Sequence, residues 1–327
     1  MKKIVIARSP LRISFVGGGT DLKDFYKNYG GEVFSAAINK YVYVLANKYH
    51  DKSKCLLKYS KTENVTRLNE IQHPLIKHSL KITRSWGLDI NSVSDVSAGT
   101  GLGSSSSFTV SLLNGLYELS GKKVNKEELA EKACFVEINK AKSPIGKQDQ
   151  YAASYGGVNH IKFNKSGKVV IKRFNNKNIM KDLKKRLLVI NTGVMKNNFK
   201  ILDEQKKNIN LRGKFTNNLL FMKSSVNIFC KELLNKNFKS CGQIIHENWM
   251  KKTELSKNIN NNLFSDIYKE SLNLGAYGGK ILGAGGRGYL LLIAPKNKIP
   301  LMRKKFSKLK FLDFDFDNQG SKIIYSS

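Results

Sequence analysis

The chain has 327 residues, enough to bury one large core or two ordinary ones, and two is the better expectation. Its 41% hydrophobic content suits a globular fold, and no apolar run approaches the ~18 residues that span a membrane. The net charge of +32 raises the prospect of nucleic acid, but the lysines are spread along the whole chain among many asparagines; that pattern favours small anions such as nucleotides and sugar phosphates, with neither nucleic acid nor membrane as partner.

The run Ile4-Val5-Ile6-Ala7 follows a basic start but is shorter than the ~7–15 residues of a signal-peptide core. It reads as the opening of a strand, and the protein as cytoplasmic. Residues 4–16 and 33–49 are strand-rich, separated by Gly17-Gly18-Gly19-Thr20-Asp21 and a polar, aromatic segment ending at Gly30-Gly31. Residues 54–59 suit a strand, 61–72 a polar loop and 75–86 a helix stopped by Gly87. Residues 88–93 alternate as a half-buried strand does. The four cysteines (Cys55, Cys134, Cys230, Cys241) form no C-x-x-C pair, so neither a disulfide framework nor a zinc site is expected.

Residues 96–107 then place three glycines and four consecutive serines ahead of an apolar-periodic helix marked by Phe108, Leu112, Leu113 and Leu116. Unpaired amides and the positive end of the dipole make such a helix start an anion site. A plain helix cap is the competing reading, because short glycine motifs match by chance. No Gly-Lys-Ser/Thr follows, so this is not a P-loop.

A second helix starts at Asn125, with Glu128 three residues on. Leu129, Ala133 and Val136 mark its buried face. Glu137 falls about 80° from Leu129 and borders that face, whereas Glu131 lies on the solvent side. Ser143-Pro144-Ile145-Gly146 breaks the helix, and residues 147–155 begin another, stopped by Gly156-Gly157. Strands follow at 158–163 and 168–173. The polar stretch 175–185 suggests a domain boundary near 180. Beyond it come a strand at 187–193, a mainly helical region over 198–277, a glycine loop at 278–288, a strand at 289–294 and a basic helix.

Phosphoryl transfer needs a phosphate cradle, a carboxylate to hold magnesium, a second one to accept a proton and a cation on the developing charge. Glu137 and Asp149 together can divide the two carboxylate tasks, although Asp149 taken alone reads more simply as a helix N-terminal Asp bound to amides. Arg12 can clamp phosphate and Asp21 can accept sugar hydroxyls; a surface Arg and a turn Asp are the plainer alternatives.

In order along the chain, Pro10-Leu11-Arg12 through Gly19-Thr20-Asp21, the serine loop, and residues 283–288 resemble the three motifs of the GHMP kinases. The resemblance implies an α+β, two-domain fold. Residues 1–180 would form an ATP-binding domain like ribosomal protein S5 domain 2, and 181–327 a ferredoxin-like domain. It implies ATP and Mg²⁺ as cofactors, with the nucleotide on Gly99, Gly101, Leu102, Gly103, Ser104, Ser105 and Ser106. Within the superfamily, Ala7–Phe15, 17–22 and Gly146-Lys147-Gln148-Asp149-Gln150-Tyr151 are most similar to D-glycero-D-manno-heptose 7-phosphate kinases. Such an enzyme acts on the anomeric hydroxyl of a sugar phosphate whose product feeds surface polysaccharide.

That likeness implies Asp149 as base, Arg12 on the transferred phosphate, and Glu137 as magnesium ligand with Ser104 or Ser105. It implies Gly18, Gly19, Thr20, Asp21, Lys147, Lys196, Gly285, Gly286 and Arg287 around the sugar. Two departures stand out: Lys196 replaces an arginine of the T-G-x-x-R pattern, and Arg287 interrupts the third motif. A lysine is a point charge where arginine offers a bidentate fork. A fucokinase-like enzyme of an unphosphorylated sugar and a non-catalytic sugar sensor are the alternatives, and a homodimer stays open.

Overall fold

The structure is a computed structural model and describes residues 2–192, 204, 213–255, 262–283, 285 and 288–327. The N-terminal apolar run becomes one long strand, β1 (Ile4–Val16), paired antiparallel with the still longer β2 (Gly31–Lys48). Their register shifts between Pro10 and Leu11, which is where a residue without an N–H is tolerated inside a sheet. The bulge immediately precedes Arg12.

β3 (Cys55–Lys58), β4 (Thr62–Val65), β5 (Leu88–Ser94), β6 (Val158–Phe163) and β7 (Val169–Arg173) extend this sheet. Its main path runs β11-β1-β2-β5-β3-β4, where β11 (Lys322–Ser326) returns from the far end of the chain. β6 pairs with the first part of β2, and β7 with β6. A second antiparallel sheet joins β8 (Leu187–Asn191), β10 (Tyr289–Ile293) and β9 (Gly278–Ile281) in the order β8-β10-β9. Helices Lys214–Leu234, Phe238–Thr253 and Asn262–Asn273 lie between β8 and β9 in the chain.

Helix Ser104–Leu119 packs against β1, β2 and β11 and buries Val110, Leu112, Leu113 and Leu116 completely. Truncating such a leucine costs about 2–5 kcal/mol. One apolar cluster runs from Val5, Phe34 and Leu112 through Val189 to Phe229 and Ile245, so both halves of the chain share it. A smaller cluster, with Leu188, Trp249, Phe264 and Leu292, fills the second sheet's other face.

Several local expectations change. The stretch 61–72 contains β4 and the 3₁₀ turn Leu68–Glu70. Buried Glu63 organises it by accepting bonds from the Tyr59 hydroxyl (2.6 Å) and the Gln72 amide (2.7 Å). The helix expected to reach 86 ends at Thr83, because Arg84 turns left-handed at φ 54°. The polar stretch 175–185 holds helix Lys177–Lys184, whose Ile179, Met180 and Leu183 are buried. β11 follows the turn Asp317-Asn318-Gln319-Gly320-Ser321, with Gly320 at φ 75°, and adds a strand beyond those expected.

Candidate active site

Gly103 caps helix Ser104–Leu119 in the left-handed region (φ 81°) and supplies no side-chain bond to the first turn. The first turn, whose amides have no partner within the helix, lies at a cleft of about 270 Å³ lined by Gly99, Gly101, Gly103 and Ser104–Ser106. The late glycine loop packs directly on this one. A Cβ on Gly101 (φ 83°) would fall inside the van der Waals shell of the Leu282 carbonyl, and one on Gly283 would strike the Gly101 backbone. Two glycine-rich loops are needed because each occupies the space of the other's side chain.

The four serines do different things. Ser104 Oγ is buried with no partner. Ser105 Oγ and Ser106 Oγ each donate to Glu137 at 2.7 Å, while Ser107 Oγ donates to the Pro10 carbonyl at 2.7 Å and ties the helix to the β1 bulge. Leu102 is a core residue whose carbonyl accepts the Arg12 N–H at 2.9 Å.

Arg12 and Asp149 form a bidentate pair: Nε reaches Oδ1 and Nη2 reaches Oδ2, both at 2.7 Å. The remaining Nη1 donates to the Gly101 carbonyl, so one guanidinium joins the carboxylate to the serine loop. Gln148 Nε2 donates to Asp149 Oδ1 as well (3.1 Å). The cation beside Asp149 is thus Arg12 from β1. Its sequence neighbour Lys147 points elsewhere, to Glu131 (3.2 Å) and the Gly167 carbonyl (3.2 Å), beyond the cleft lining. Glu131 is exposed, as its solvent-side position implies, and it holds Lys147 and accepts from the Tyr151 hydroxyl.

Asp21 lies in the same cleft, accepting from the Gly19 amide and the Gln148 amide, each at 3.1 Å. Burial pushes its carboxyl up, the Asp149 charge adds to this, and the two amides offset part of it. Gly146 is compulsory here, since any Cβ would meet the Asp21 carboxylate. Gly18 and Gly19 line the cleft, whereas Thr20 does not. Its Oγ1 sits 2.8 Å from the Gly17 and Glu32 carbonyls and accepts the Glu32 amide at 3.0 Å, locking the turn to β2.

Glu137 is fully buried, deeper than the helix spacing implied. Helix Lys126–Cys134 widens into a π turn over Phe135–Lys140. A π turn advances each residue by less than ~100°, which carries Glu137 toward the apolar face. Burial pushes its carboxyl up against the opposing bonds from Ser106, Ser105 and Gln150. The group fits a magnesium ion: one carboxylate, neighbouring hydroxyls and the orphaned Ser104 Oγ are hard oxygen donors. Magnesium keeps its other positions for phosphate and water.

Two cleft residues went unnoticed in the sequence, Lys252 and Lys280. Lys252 had a signal, because Ile245, Asn248, Trp249 and Lys252 are spaced as one buried helix stripe and all four are buried. Lys280 had none. Of the late loop, Gly283 lines the cleft and Gly285 is buried; Lys196, Gly286 and Arg287 lie outside the described residues.

Residues 73–157, from the serine-loop helix's neighbour to the turn after the Asp149 helix, match the family model of the GHMP kinases N terminal domain. That segment is a GHMP kinase N-terminal domain, and together with the curated relatives it indicates an ATP-dependent sugar kinase. Among curated proteins it is similar to the D-glycero-alpha-D-manno-heptose 7-phosphate kinase of Campylobacter jejuni, 28% identical with 98% of each chain covered. It is 25% identical to the bifunctional fucokinase/GDP-fucose pyrophosphorylase of Arabidopsis thaliana, over 87% of this chain and 29% of that longer one. Its fold matches the crystal structure of a D-glycero-D-manno-heptose 1-phosphate kinase from Bacteroides thetaiotaomicron, with TM-score 0.79, 20% identity, and 98% of this chain and 99% of that one covered.

Proposed function

We propose that this kinase phosphorylates the anomeric hydroxyl of D-glycero-D-manno-heptose 7-phosphate, giving the 1,7-bisphosphate for nucleotide-activated heptose and surface polysaccharide. In this reading residues 1–180 bind ATP and 181–327 complete the cleft. The observation that carries it is the Arg12–Asp149 pair, which links a carboxylate directly to the serine loop with Asp21 in the same cleft.

Asp21 and the Gly18–Gly19 backbone hold sugar hydroxyls. Asp149 takes the proton of the anomeric hydroxyl as its oxygen bonds to the terminal phosphorus of ATP and the bond to ADP breaks. A positioned base contributes about 10²–10⁴-fold. Arg12, held by both Asp149 and the Gly101 carbonyl, remains close to the charge that develops on the phosphoryl oxygens. Glu137 and Ser104 or Ser105 would hold a magnesium ion, which would neutralise charge on the phosphates.

The test is a panel of sugars with and without the 7-phosphate, the product located by ³¹P NMR. The expected outcome is a C1 phosphate and a kcat/KM for the 7-phosphate about 10²-fold or more above the unphosphorylated heptose. Turnover confined to free sugars such as fucose would replace this substrate with the fucokinase-like one. No ATP turnover with any sugar would leave a sugar sensor.

A further inference from the structure

The catalytic reading leaves two cleft residues without a task. Lys252 stands near the C-terminal end of helix Phe238–Thr253, and Lys280 on β9. They are 5% and 2% exposed. Each ammonium has three hydrogens to donate, yet among the described residues the bonds formed go to one carbonyl apiece: Gly283 for Lys252, and Phe15, at 3.3 Å, for Lys280. The nearby carboxylates are already engaged, Asp149 by both arms of Arg12 and Asp21 by two backbone amides.

The charges facing these amines are largely of their own sign. Lys280 meets Lys252 and Arg12; Lys252 meets Arg12, against attraction from Asp21 and Asp149. Burial and this repulsion push the Lys252 amine down to about 8 and Lys280 well below the ordinary lysine range. Buried, unpaired cations are costly, and an apolar side chain of similar length would be more stable in either position. Both nevertheless open on the cleft that holds the serine loop. Among the described residues neither ammonium forms an ion pair with a carboxylate.

We propose that Lys252 and Lys280 together form a receptor for one phosphate monoester group in the cleft, distinct from the amides of the serine loop. The assignment rests on the kinase reading of the site. The phosphate has two sources, the terminal group of ATP or the phosphate the acceptor sugar already carries. In both cases the dianion accepts hydrogen bonds from the two ammonium groups and favours their charged form.

Lys252→Met and Lys280→Met keep the apolar stem and remove the charge, and both are expected to melt at or above the wild-type temperature. Titration calorimetry on the whole protein compares two probe pairs: ADP with a non-hydrolysable ATP analogue, and mannose with mannose 6-phosphate. The variants should bind one terminally phosphorylated member at least tenfold more weakly and its partner within twofold of wild type. A loss on the ATP analogue identifies the donor phosphate; a loss on mannose 6-phosphate identifies the acceptor's. At pH 8.5, titrations in two buffers of different ionisation enthalpy should show proton uptake by the wild type that is smaller in each Met variant.

Lys252→Arg, which keeps the charge, should retain the discrimination and so guards against a purely steric effect. Affinities within twofold of wild type for all four probes in both Met variants, or undiminished proton uptake, would overturn the proposal. A protein that turned over no sugar would end the kinase reading yet leave the binding contrasts measurable.

Discussion

At the residue scale the site depends on which groups are already bonded to one another. Arg12 and Asp149 are far apart in the chain, and each alone has a plain structural explanation; their bidentate pairing makes them one unit. Asp149→Asn should therefore lower kcat by about 10²–10⁴-fold while ATP binds no more weakly than to the wild type, since Arg12 loses a competing carboxylate. Near-normal turnover would remove Asp149 as the base. Glu137 is different because four protein donors surround its two oxygens. Glu137→Gln should raise the magnesium concentration for half-maximal rate by about 10–100-fold. An unchanged magnesium titration would mean that Glu137 only anchors the serine helix.

At the element scale the serine helix is held from three directions. Ser107 ties it to the β1 bulge, Ser105 and Ser106 tie it to the π turn, and its preceding loop nests against the late glycine loop. Gly101→Ala tests the last of these. A Cβ there needs φ +83° and pushes on the Leu282 carbonyl, so a loss of about 1–3 kcal/mol is expected in denaturant unfolding, together with weaker ATP binding. Wild-type stability and affinity would show that the two loops can separate without consequence. The helix itself was readable from its apolar spacing. The role of each serine was not, because four adjacent hydroxyls point in different directions and their partners come from distant segments.

At the scale of the whole molecule, electrostatics in the cleft oppose folding. Burial pushes Asp21 and Glu137 up and Lys252 and Lys280 down, so each is less stable in its charged form than in the unfolded chain. For Lys252 the sign follows from its folded value of about 8, below the ordinary 10.5. Between those values the unfolded chain binds more protons, so this contribution to stability rises with pH and the penalty is fully present below pH 8. Its size is about 3 kcal/mol. Lys252→Met should accordingly raise the melting temperature at pH 7 and lose that advantage by pH 10.5. An equal gain at both pH values would mean packing, not charge, is responsible.

The sequence by itself determined the motif set and the elements with strong periodicity: the long N-terminal strands, the serine helix, the Asn125 cap (its side chain accepts from the Glu128 amide at 2.8 Å) and the family likeness. These depend on residues close in the chain, where spacing and turn chemistry act directly. Only the tertiary structure decided that Arg12, not Lys147, pairs with Asp149, that Glu137 turns fully inward, and that two lysines from the second half enter the cleft. Among the 57 lysines and arginines of this chain, composition cannot single out the few that are buried. Burial depends on which strands and helices meet, and those contacts join residues hundreds of positions apart.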